Sequence, residues 1–348
     1  MNNRNLSPQE MFIRIAGEHR PKFQFDAFSG SFEEWKSEAR PEVLSCLGTF
    51  PEKVDPRPEL LVEWEHRGLR KQKWVIDAQP HLSAILYVNI PPDTTDDSPR
   101  PALLCWHGHG SFGKEPVMGN DSTPALQANI QAHNYEYGQK MAEAGFVTYA
   151  VDWIGAGDHN DDRKPNWRAR GGGRDWCNLY YLHATMLGMT SISINVRHGM
   201  AATDFVSTLP FVDENRLGVM GLSGGGTMTT WTAFCDERMK AAEIICYSDV
   251  WRVFGIRDVN YCGMQVAPGL FDLVDLPDLQ GLLAPLPLLI DIGSYDDCFT
   301  VETAMECYRK LEKIYEGAGV RDRLDLDLFG GGHGWGENKS VKFFQNSL

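Results

Sequence analysis

Residues 216–226 read Arg216-Leu217-Gly218-Val219-Met220-Gly221-Leu222-Ser223-Gly224-Gly225-Gly226. A short apolar strand runs into G-x-S-x-G and then into a stretch with helical character, 227–239. That order places Ser223 on a tight strand-to-helix turn with strained backbone angles, its hydroxyl standing clear of a sheet. Gly221 and Gly225 leave room for such a turn to close. The following helix, expected to start near Gly226, turns its dipole and the amide of Gly224 toward any oxyanion formed at Ser223.

Working outward, the chain from residue 101 alternates short apolar strands with helical stretches. The strands are predicted at 102–106, 146–153, 216–221, 242–247, 287–292 and 323–329. Most are continuous apolar runs, the pattern of parallel strands covered on both faces. The last alternates Leu324, Leu326 and Leu328 with Asp325 and Asp327, which fits a half-exposed strand near a sheet edge. Helices are predicted at 135–144, 195–209, 226–239 and 300–315. The alternation indicates a doubly wound, mostly parallel α/β sheet. Residues 59–90 read as two or three antiparallel strands, clearest at 73–77 and 82–89. Residues 1–58 read as an N-terminal helical extension and 59–348 as the catalytic domain. The extension holds one helical segment, 31–47, opened by a capping box of Ser31 and Glu34 and interrupted at Pro41.

Two long segments break the alternation, 154–194 and 248–286. Excursions at the carboxyl ends of parallel strands commonly wall a pocket. Trp153, Trp167, Trp176, Tyr180, Tyr181 and Trp251 are therefore candidates for lining it.

A nucleophilic serine needs a base, a group that orients the base, and oxyanion donors. His333 is the one histidine after His198, on the glycine-rich loop 330–334 just past the last strand. Its ring would take the serine proton as a neutral imidazole. The acid belongs after the strand 287–292, where Asp296 and Asp297 are adjacent. Gly293 three residues before and Phe299 three after favour Asp296; Asp297 is the neighbouring alternative, and Asp249 a more distant one. The second oxyanion donor is expected from the loop Trp106-His107-Gly108-His109-Gly110, at the amide of His109 or of Gly110. His107 and His109 also have an H-x-H spacing open to a metal, but without a clear carboxylate partner the reading is no metal.

The chain of 348 residues carries 33 basic and 47 acidic side chains, a net charge of −14. That balance argues against nucleic-acid and anionic-membrane partners. It is compatible with a homo-oligomer. Residues 1–20 are polar, without the apolar core of a signal peptide, and the expected location is cytoplasmic. None of the eight cysteines forms C-x-x-C, and several sit in apolar patterns, so free thiols are expected. No motif calls for a cofactor. Gly224-Gly225-Gly226 and Gly155-Ala156-Gly157 both fall short of G-x-G-x-x-G, which sets a dinucleotide-binding fold aside.

Taken together, the segments 103–110, 211–218, 221–225, 278–287 and 332–333 resemble the α/β-hydrolase superfamily, and within it the acetyl-xylan-esterase-like and dienelactone-hydrolase-like branch. The resemblance covers about residues 60–345. It implies a serine carboxylesterase hydrolysing carboxylic esters, often acetyl groups on sugars; the lack of a long apolar lid helix and the polar, acidic composition point to short-chain, chiefly acetyl, esters of small molecules. It implies Ser223, Asp296 and His333 as the triad, with Gly224 and His109 at the oxyanion hole. The chain departs from dienelactone hydrolases in having Ser223 where they have cysteine, and from many relatives in having Leu286 where they have arginine. A serine peptidase or amidase of the prolyl-oligopeptidase type is the alternative, although the N-terminal region is too short for that class's propeller.

Overall fold

Continuous apolar strands can be satisfied only in the middle of a sheet with helices on both faces. The computed structural model, which describes residues 4–161 and 176–348, has that arrangement. Nine strands form one sheet: β1 (Glu59–His66), β2 (Leu69–Gln79), β3 (Leu82–Ile90), β4 (Arg100–Trp106), β5 (Val147–Val151), β6 (Val212–Leu222), β7 (Met239–Ile245), β8 (Leu288–Gly293) and β9 (Leu324–Phe329). Their spatial order is β1-β2-β3-β5-β4-β6-β7-β8-β9. The first four in that order pair antiparallel, and β5 through β9 run parallel.

Side-chain alternation divides the core between the two faces. Ala102, Leu104 and Trp106 of β4, with Leu217 and Val219 of β6, join the larger cluster. Leu103 and Cys105, with Met220 and Leu222, join the smaller one. The N-terminal segment contributes Phe32, Trp35, Ala39 and Val43 to the larger cluster. Trp35 is fully buried and its indole N–H donates to the Phe23 carbonyl at 2.8 Å. Truncating such a side chain to alanine typically costs about 3–5 kcal/mol.

The sequence reading is corrected in several places. The helix Phe32–Ser45, capped by Ser31 and Glu34 as expected, runs through Pro41 without a break. A further helix, Pro8–Glu18, lies ahead of it, capped by Ser7. The helices Pro124–His133, Trp176–Met186 and Ser340–Ser347 were not anticipated. Strand β9 is an edge strand, but Asp327 points inward and Leu328 outward. Asp327 is satisfied there by the amide and side chain of Asn338, at 3.1 and 3.0 Å. Among the described residues no helix is long and apolar enough to cross a membrane.

Candidate active site

Strand β6 lies at the middle of the parallel region, between β4 and β7. Ser223 follows it directly, at φ 60° and ψ −119°, and the helix Gly224–Cys235 begins at the next residue, two earlier than expected. A side chain held at positive φ is costly, about 1–3 kcal/mol, and persists only where the surroundings enforce it. Here the Ser223 amide donates to the Ile245 carbonyl of β7 at 2.8 Å, and the Ser223 carbonyl accepts from Gly226 at 2.7 Å. The flanking glycine is required by close approach. A Cβ on Gly225 would lie 2.3 Å from the Trp106 carbonyl oxygen at the end of β4.

His333 and Asp296 come together past the ends of β9 and β8. His333 Nδ1 lies 2.9 Å from Asp296 Oδ2, and the other carboxylate oxygen accepts from the amides of Cys298 and Phe299 at 2.8 and 3.0 Å. Burial pushes the Asp296 carboxyl up, but the His333 hydrogen bond and those two amides outweigh it and hold the group below the usual carboxylate range. An ionised Asp296 makes Nδ1 the donor and leaves Nε2 as the proton acceptor. The ring stacks on Phe299, with centroids 5.7 Å apart. Its carbonyl takes a hydrogen bond from the ring of His133, 2.6 Å away.

Of the other acid candidates, Asp297 is exposed. Asp249 is engaged elsewhere, accepting from Thr303 Oγ1 at 2.7 Å. Burial pushes its carboxyl up to about 6.

Ser223 and His333 line one cavity of about 360 Å³, together with His109, Tyr135, Tyr261 and Phe299. No direct hydrogen bond joins the Ser223 hydroxyl to His333 among the described residues, a looseness common in unliganded catalytic sites. Sequence reasoning missed the aromatic lining. Trp153 is fully buried beneath Gly224, and Trp251 lines a separate groove. Tyr181 packs on Gly263, and Trp167 lies outside the described residues. The rings of Trp176 and Tyr180 pack in a tilted pair, with centroids 5.3 Å apart.

The loop after β4 brings its two histidines to different places. His107 is buried, with Nδ1 2.8 Å from the Gly108 carbonyl and Nε2 3.4 Å from Asp152. Burial drives its pKa down to about 4. His109 is exposed on the cavity wall, its ring against Gly224. The two rings therefore have different surroundings, one in the core and one on the cavity wall. The amide of Gly108 is taken by Tyr135, which leaves those of His109 and Gly110 for an oxyanion. A buried ion pair fixes this loop to the one after β5. Lys114 Nζ reaches Asp152 and Asp158 at 2.7 and 2.8 Å, and its amide donates to Asp152. Burial pushes the Asp152 carboxyl up, and Lys114 more than reverses it, holding it down at about 2. Nothing in the residue types of 114 or 152 marked this pair in advance.

An elbow serine and an imidazole oriented by a carboxylate, on one cavity, are the groups that acyl transfer through a covalent intermediate requires.

The comparisons with known proteins agree with the fold. The model of the Abhydrolase family matches residues 1–314. The Bacillus subtilis (strain 168) protein named "Putative hydrolase YtaP" is 24% identical over 306 residues, which are 86% of this chain and 94% of that one. A solved structure described as a "putative acetyl xylan esterase" from Bacteroides fragilis NCTC 9343 superposes with a TM-score of 0.74 at 20% identity, over 94% of this chain and 83% of that one. The glucuronoyl esterase from Solibacter usitatus gives a TM-score of 0.66 at 14% identity, over 92% and 94%. This chain belongs to the Abhydrolase family.

Proposed function

We propose that the protein is a serine carboxylesterase that removes short acyl groups, acetyl foremost, from small soluble alcohols of the carbohydrate type. The observation that carries this reading is the 2.9 Å contact of His333 Nδ1 with an ionised Asp296, on a cavity that also holds Ser223 at a strained elbow. In the reaction Ser223 attacks the ester carbonyl while His333 takes its proton. The amides of Gly224 and His109 stabilise the oxyanion. His333 returns the proton to the leaving alcohol, and a water repeats the sequence on the acyl-enzyme.

Three features support the substrate class. The cavity is small, at the low end of ligand sites. Its lining mixes Asn129, Asn260 and Gln265 with Tyr135, Tyr261 and Phe299, donors and flat faces suited to a hydroxylated ring. The two structural relatives named above are described as an acetyl xylan esterase and a glucuronoyl esterase.

The test is kcat/KM against acyl length on aryl esters, with acetylated sugars and a matched aryl amide alongside. Each misfitting methylene is worth about 1–3 kcal/mol, so the rate should fall about ten-fold or more beyond acetyl or propionyl. A rise through octanoyl, or an amide cut faster than its ester, would replace this reading with a long-chain esterase or a peptidase.

A further inference from the structure

We infer that His109, Cys177 and Cys262 form a binding site for a thiophilic divalent cation, zinc being the best match, in the wall of the catalytic cavity. The three residues are far apart in sequence and on three different segments. His109 follows β4, Cys177 lies in the first turn of the helix Trp176–Met186, and Cys262 precedes a short turn at Gly263–Gln265. Their ligand atoms nevertheless lie within 4.8 Å of one another, and His109 Nε2 is 2.8 Å from Cys262 Sγ. Two donors on one tetrahedral zinc stand about 3.5–3.8 Å apart, given bonds near 2.0 Å to nitrogen and 2.3 Å to sulfur. Closing on an ion therefore takes shifts of about an ångström or less.

The donor set and the setting both point to a metal. One imidazole and two thiolates suit a borderline-soft cation over magnesium or calcium, which prefer oxygen. Three protein ligands leave a fourth position for water. Cys177 is buried, Cys262 half-buried and His109 exposed, so an ion can arrive from the cavity side. The two cysteine segments are fixed to each other. The Gly263 amide donates to Asn178 Oδ1 at 2.7 Å, and Tyr181 packs against Gly263 so tightly that a Cβ there would lie 2.4 Å from it. Such cross-bracing is what a preformed ligand set needs.

Binding displaces the two thiol protons to solvent, and the two thiolates neutralise the dication. The ion would also immobilise His109, whose ring lies against Gly224. Occupancy should therefore lower turnover; that consequence, unlike the binding itself, rests on the esterase reading.

The test is a titration of the full chain with cobalt(II), a spectroscopic substitute for zinc, under a phosphine reductant. Expected are a thiolate-to-cobalt charge-transfer band in the near ultraviolet and tetrahedral visible bands. Both should saturate at one equivalent and bleach on adding zinc. Cys262→Ser and the double variant Cys177→Ser/Cys262→Ser should weaken cobalt binding by about 100-fold or more, beyond the loss from a missing outer-shell partner. Cys298→Ser and Cys246→Ser, which alter the two metal-ligand groupings around Asp296, should keep the band. The turnover ratio with and without zinc should fall in the unmodified chain and stay near one in the double variant. An unmodified chain without the charge-transfer band overturns the inference, as does a band that survives in the double variant. A band without any ester hydrolysis would support the metal site while overturning the esterase.

Discussion

Strand β8 and its exit carry two buried aspartates five residues apart, with opposite electrostatics. Asp296, past the strand's end, is held ionised by His333 and two backbone amides. Asp291, inside the strand, pairs in register with Asp327 and faces Glu243 of β7. Burial, and then the neighbouring carboxylates, push Asp291 well up, and burial raises Glu243 too. Glu243 accepts from Trp335 Nε1 at 3.0 Å and Ser340 Oγ at 2.6 Å, while among the described residues Asp291 Oδ1 and Glu243 Oε2 are buried without a hydrogen-bond partner. Neighbouring buried carboxyls disfavour double ionisation, which pushes both groups toward the protonated form. Burial beside other carboxylates thus pushes Asp291 toward its neutral form, whereas at Asp296 an imidazole and two amides outweigh burial. Asp296 stands against His333, and the Asp291 and Glu243 carboxyls tie β7 and β8 to Trp335, Gly336 and Ser340 of the C-terminal segment.

The largest expected effect lies at the charged site. Asp296→Asn should cut kcat by about 10³–10⁴, because an amide no longer fixes the Nδ1–H tautomer or stabilises the imidazolium. Circular dichroism should stay unchanged. A loss under ten-fold would detach Asp296 from the reaction, and a larger loss in Asp249→Asn would move the role there. Next comes Lys114→Met, which leaves Asp152 buried without its cation. Breaking a buried pair from one side costs about 3–5 kcal/mol, read as a lower urea midpoint. A stability within about 0.5 kcal/mol of the parent would show that the pair does not fix the loops.

The raised carboxyls of Asp291 and Glu243 should show themselves in pH dependence. A carboxyl whose folded pKa is raised binds its proton more tightly when folded. Its stabilisation is full below the unfolded value and is lost as pH rises through the folded one. Unfolding free energy should therefore decline from about pH 4, the free carboxyl range, and level off above the raised folded values. Glu243→Gln supplies a permanent N–H donor toward Asp291 and should flatten that decline, gaining about 1–2 kcal/mol at alkaline pH relative to the parent. Parallel pH profiles for parent and variant would mean that these carboxyls do not set the decline. The smallest effect belongs to Asp297→Asn. That side chain is exposed, so both stability and kcat should stay within about two-fold of the parent's values.

The fold, the elbow at Ser223 and the approach of His333 to Asp296 were legible because each rests on a local signal. Continuous apolar strands, G-x-S-x-G and a glycine-flanked histidine are all contiguous in sequence. The missed helices had signals too: Ser7 before Pro8 and Thr123 before Pro124 are cap-plus-proline starts. Pro41 misled because a proline can sit inside a helix when tertiary packing holds both halves, as Trp35 and Val43 do here. Asp327 misled because strict alternation does not hold where an edge strand is covered by the loop carrying Asn338. The Lys114–Asp152 pair, the cavity aromatics Tyr135, Tyr261 and Phe299, and the His109–Cys177–Cys262 group join residues distant in the chain. No spacing rule encodes such meetings, which come from the folded topology alone.

The most direct trial of the nucleophile is covalent capture. The full chain treated with an aryl phosphonate ester should gain one adduct, lose its esterase activity in step, and carry the label on the peptide containing Ser223. Ser223→Ala should neither react nor turn over ester, with its fold intact. Label on another residue with activity lost, or turnover persisting in Ser223→Ala, would contradict the assignment.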